Sequence, residues 1–154
     1  MQTIAKPSVQ SLLLQMRFNG QPLSTGTGFV SLSAKGPLLI TNRHNFTGRR
    51  QDNGKPISPN GGIPNEVVVF QNLKGQLGSW QSKIEPLYSD PENEEKRWVE
   101  HPVLGAKADF VALPLTQLDD VELYPYDPGK PGEDMQIGPA DTVSVIGFPF
   151  GISA

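Results

Sequence analysis

Leu38-Leu39-Ile40-Thr41-Asn42-Arg43-His44 is a short apolar run that stops in two polar residues and then presents an imidazole. Ahead of it, Ala34-Lys35-Gly36-Pro37 marks a turn, so the run is too short and too sharply bounded to be a helix and reads as a strand. Working outward, Thr27 to Ser33 reads as the strand before that turn, and Val9 to Phe18 as a first strand with apolar residues on both faces. Asn19-Gly20-Gln21-Pro22 joins these two, because Asn-Gly readily takes the positive φ values of a tight hairpin. Three antiparallel strands therefore lead up to His44.

Downstream, Gly48 to Asn65 is polar and rich in Gly, Pro, Asn and Ser, the composition of a surface loop. Glu66 to Phe70 is a β-branched strand. Trp80 to Leu87 alternates apolar residues at Trp80, Ile84 and Pro86 with polar ones, as a hairpin partner would. Asp90 to Arg97 is a solvated cluster of both charge signs, and Trp80 and Trp98 are expected to pack in the core or at a barrel end. Ala108-Asp109-Phe110-Val111-Ala112-Leu113-Pro114-Leu115 closes a run of six strands with a carboxylate at its mouth.

Composition agrees with an all-β fold. The 154 residues include 16 Gly and 15 Pro, which short strands joined by turns accommodate and helices do not. A net charge of -3 argues against nucleic acid as a partner. The chain has no cysteine, which removes disulfides and thiolate metal sites. No apolar run is long enough to span a membrane or act as a signal core, so a mature start and a cytoplasmic location are expected.

The division expected is 1–118 as a small β-barrel or sandwich carrying His44 and Asp109, 119–141 as a Pro/Gly-rich acidic connector, and 142–154 as the first strand of a second, mostly absent sheet. Thr142-Val143-Ser144-Val145-Ile146-Gly147-Phe148 has the β-branched content of a strand. Lacking a partner strand in the sequence that follows, it is expected to fold back on the barrel edge or to pair with a second copy of the chain.

Gly26-Thr27-Gly28-Phe29-Val30, Leu39 to His44, Ala108 to Leu113 and Val145-Ile146-Gly147-Phe148-Pro149-Phe150-Gly151, in that order, resemble the trypsin-like serine peptidases, their bacterial branch above all. His101-Pro102 ahead of the aspartate is similar too. The resemblance spans nearly all of this chain but only the first half to two thirds of that family's double-barrel domain. It implies that His44 is the general base and Asp109 the carboxylate that orients it, since a serine hydroxyl becomes nucleophilic when an imidazole takes its proton. The spacing from His44 to Asp109 is longer than in the bacterial branch, an excess that the loop 48–65 accounts for.

The family's Gly-Asp/Asn-Ser-Gly motif is nowhere in the chain, and Ser153 lacks that glycine frame. The resemblance thus implies a serine endopeptidase acting on polypeptides, with no cofactor or metal, whose nucleophile is missing here, so that this chain alone is inert. A cysteine nucleophile in the same position remains open. From a different class, the same residues could form a peptidase-like binding or structural module without chemistry. His101, before a proline, is the weaker candidate for the base. Gly26-Thr27-Gly28 is no phosphate loop, because no Gly-Lys-Ser/Thr follows it.

Overall fold

The computed structural model describes residues 3–127 and 136–149. Its centre is a seven-stranded, wholly antiparallel sheet in the order β5-β4-β1-β2-β3-β7-β6. β1 is Ser11–Phe18, β2 Gln21–Ser33, β3 Gly36–Thr41, β4 Glu66–Asn72, β5 Trp80–Pro86, β6 Val99–Glu100 and β7 Val111–Pro114. Two five-residue helices complete it, α1 at Lys6–Gln10 and α2 at Arg43–Thr47. The all-β expectation holds, with one strand more than the six read from sequence, the extra being the two-residue β6.

The Asn19-Gly20 turn takes φ values of 46° and 80°, the left-handed pair that lets β1 fold directly onto β2. The first strand starts at Ser11 rather than Val9, because Pro7 sits in the first turn of α1 and needs no N–H there. Leu12, Leu14 and Met16 then alternate inward on β1 and meet Val30, Leu39, Val67, Val69, Val111 and Leu113 from its neighbours. Each of these side chains contributes about 1.5–3 kcal/mol on leaving water. Phe46 and Trp98 close one end of this core with ring centroids 5.7 Å apart.

β5 carries the expected alternation, but with the opposite face inward. Trp80 and Ile84 are half exposed, and Glu85 is buried at 1%. Trp80 is therefore not a core residue, whereas Trp98 is. The cause lies in what Glu85 finds inside. Its carboxylate accepts hydrogen bonds from the Thr116 N–H at 2.7 Å, the Gln117 N–H at 2.8 Å and the Thr116 hydroxyl at 2.8 Å, with Arg97 at 3.5 Å. Thr116 and Gln117 lie two and three residues past the end of β7, so one buried side chain ties the β5 edge of the sheet to the opposite side of its strand order.

The segment after β7 runs across the sheet. Glu122 donates its N–H to Asn72 and Tyr126 its N–H to Val30, while Leu118 and Leu123 pack against the core. The strand expected at 142–148 does not form among the described residues. Val143 and Val145 are exposed at 71% and 96%, and no neighbouring strand offers a ladder. β-branched content alone is insufficient without pairing groups. Only the end of this segment reaches the sheet, where Phe148 donates its N–H to the Thr27 hydroxyl at 2.9 Å. Residues 150–154 of the expected unit 142–154, Ser153 among them, lie outside the described residues, as do 128–135 of the expected connector.

Candidate active site

Thr41 pairs with Val111 in the β3–β7 ladder. Carrying that register past the strand ends brings Asp109, two residues before Val111, alongside the first residues of α2. Backbone pairing thus delivers the carboxylate to the helix that bears His44, across a long separation in sequence.

Asp109 holds His44 at two points. Oδ1 accepts the backbone N–H of His44 at 3.0 Å, and Oδ2 lies 2.7 Å from the ring Nδ1. An anionic acceptor at Nδ1 assigns the ring proton to that nitrogen and leaves Nε2 as the free lone pair. Both side chains are about one-third exposed, at 34% and 30%, so the pair stands at the surface. Asn42, just before α2, donates its side-chain N–H to the Asp109 carbonyl at 3.0 Å and approaches Oδ2 at 3.4 Å. Sequence reasoning quoted Asn42 without giving it a role. No local signal in the sequence gives it that role, because its partner Asp109 is brought to it only by the β3–β7 pairing.

α2 is seated from beneath. Phe46 is fully buried, and Asn45 donates to the Thr41 hydroxyl at 2.9 Å, which in turn donates to the Thr27 carbonyl at 2.8 Å. This packing explains the paired glycines. A Cβ on Gly26 would come within 2.6 Å of the Asn45 side chain, and one on Gly28 within 2.9 Å of Leu39. Both positions face partners that leave no room for a side chain.

His101 is placed elsewhere and is occupied. Its Nδ1 accepts the N–H groups of Val103 and Leu104 at 3.1 and 3.0 Å, and its ring meets Phe110 edge to face. It holds the turn before Asp109 rather than a proton in transit. Among the described residues, no serine hydroxyl hydrogen-bonds His44, and no cluster of three His, Cys, Asp or Glu side chains is arranged to hold a metal. None of the described helices is long and apolar enough to cross a membrane.

A cavity of about 490 Å³ opens between Thr27, Phe29, Asn42, Phe110, Tyr126 and Ile146. Phe29 and Tyr126 stack edge to face at 5.3 Å, and Phe110 and Ile146 are about half exposed. The lining of this cavity is therefore largely apolar, and it includes Asn42 and Phe110 but neither His44 nor Asp109. Comparison of the chain with protein-family models, with curated proteins and with solved structures finds no match.

Proposed function

We propose that the chain carries the general base and orienting carboxylate of a trypsin-like serine endopeptidase. In this reading the sheet is the first barrel of a double-barrel domain, and the nucleophile comes from outside the described residues. The observation that supports it is the two-point hold of Asp109 on His44, at 2.7 Å on the ring and 3.0 Å on the backbone. A carboxylate that only capped the helix would need the backbone contact alone.

The chemistry follows from that hold. With Nδ1 protonated, Nε2 takes the proton of an approaching serine hydroxyl as its oxygen attacks a peptide carbonyl. Asp109 stabilises the imidazolium that results, and Nε2 then returns the proton to the leaving amine. The exposed apolar side chains of Phe29, Phe110 and Ile146 supply a surface on which a second domain would seat. No cofactor enters this scheme.

The test is hydrolysis of an unfolded polypeptide such as denatured casein by the longest natural form of the protein. Hydrolysis that disappears in His44→Ala supports the proposal. A correctly folded long form that cleaves nothing overturns it in favour of a non-catalytic module, and one that cleaves equally well without His44 overturns the assignment of this base.

A further inference from the structure

A second concavity, of about 360 Å³, lies on the side of α2 where the loop 48–65 returns to the sheet. Its walls carry Arg43, Arg49, Arg50 and Lys96, and Tyr88 and Trp98 also line it. Among the described residues, no carboxylate lines it. On a chain of net charge -3, four cations around one hollow stand against the overall balance.

Two of those cations are already engaged. Glu100 accepts from Arg43 at 3.0 Å and lies 3.6 Å from Lys96, whose ammonium also sits 5.5 Å from the Trp98 ring centre. The other two keep their charge. The Arg49 guanidinium bonds the Gly54 carbonyl, a neutral acceptor, and the Arg50 guanidinium has no hydrogen-bond or ion-pair partner among the described residues.

The loop that presents them is built in advance. Arg50 and Lys55 pair through an N–H to carbonyl bond of 2.8 Å, Gly54 returns an N–H to Arg50 at 2.9 Å, and Ile57 bonds Gly48 at 2.8 Å. The Gln51 side chain reaches across to the Ala106 carbonyl and fixes the loop against the turn before Asp109. Guanidinium groups in a fixed frame suit planar or tetrahedral oxyanions, which they bind through paired N–H donors. Little reorganisation is then needed at binding.

We propose that this pocket is a binding site for an oxyanionic group, a carboxylate or a phosphate, presented by a ligand that also lies against Tyr88 and Trp98. Arg49 and Arg50 supply the charge. Burial, and then the nearby Asp90 charge, push the Tyr88 phenol above its ordinary range, so it remains a neutral O–H donor. The site does not depend on the peptidase reading, since neither His44 nor Asp109 lines it.

The test is nuclear magnetic resonance on the full chain at low ionic strength, titrated separately with inorganic pyrophosphate and with tetraglutamate. The Trp98 indole N–H and the backbone amides of Arg50 and Gln51 are followed. Saturable shifts are expected, weakened about tenfold or more in Arg49→Gln/Arg50→Gln and weakened again by added salt. Saturation by pyrophosphate alone assigns a phosphate ligand, and by tetraglutamate alone a carboxylate. Arg50→Gln alone serves as the second variant, because its guanidinium holds nothing in the fold. Absence of saturable shifts with both probes overturns the proposal. So do shifts that persist undiminished in folded Arg49→Gln/Arg50→Gln. His44→Ala binds as the parent does, which keeps this result separate from any failure of the catalytic reading.

Discussion

The Asp109 carboxylate bridges the ring and the backbone of His44, with one oxygen on Nδ1 at 2.7 Å and the other on the main-chain N–H at 3.0 Å. The backbone bond fixes where the helix starts, and the ring bond fixes which nitrogen faces outward. An amide in place of the carboxylate keeps the shape and loses the anionic acceptor. Asp109→Asn is therefore expected to move the His44 proton to Nε2, read from ¹⁵N shifts of the imidazole, and to cut catalysis by the long form about 10⁴-fold. An unchanged tautomer would show that Asp109 does not govern the ring.

Glu85 is expected to carry more stability than any surface charge. Three donors and Arg97 converge on it at 1% exposure, so Glu85→Ala leaves two N–H groups without their acceptor and the Arg97 charge without its counter-ion. A loss of about 3–5 kcal/mol is expected in urea unfolding, with a smaller one for Glu85→Gln. A near-neutral Glu85→Ala would mean that the sheet's two sides are not tied through this carboxylate.

Gly26 tests the seat of α2. The added methyl of Gly26→Ala would press on Asn45 and break its bond to Thr41. About 1–3 kcal/mol of destabilisation is expected, together with a shifted His44 amide resonance. Unfolding at the parent's midpoint with an unmoved His44 signal would refute this packing.

Glu100 gives a pH signature. Burial pushes its carboxyl up, but the Arg43 hydrogen bond and charge, with Lys96, outweigh that and hold it below its ordinary 4.5. A depressed folded value means that the unfolded chain binds more protons across this window, so stability rises with pH there. The contribution is complete above the unfolded value and is lost as pH falls through the lower folded one. Glu100→Gln is expected to flatten the acid limb of the stability profile. A limb of unchanged slope in urea unfolding between about pH 3 and 5 would contradict it.

The strands up to His44 were legible because local rules decide them. Asn19-Gly20 forces a hairpin, and the run Leu38 to Thr41 has no other use. The long-range pairing of His44 with Asp109 was legible only through a resemblance, since nothing local states that β3 and β7 are neighbours. The inward face of β5 was misread, because alternation locates the faces but not which one is buried. A single carboxylate with four waiting partners reversed the hydrophobic choice. The failed strand at 142–148 has the complementary cause. Val143 and Val145 carry the preference, but a strand exists only where another chain segment pairs with it. Asn42 and the cationic pocket escaped notice because they arise from side chains that only the folded loop brings together.

Reaction with a fluorophosphonate probe tests the proposed role of His44 as base most directly, since the probe loses fluoride to an activated serine oxygen. In the longest natural form of the protein, covalent labelling at one serine is expected, and His44→Ala should abolish it without unfolding the chain. Labelling that survives intact in folded His44→Ala would contradict the assignment of this imidazole as the base.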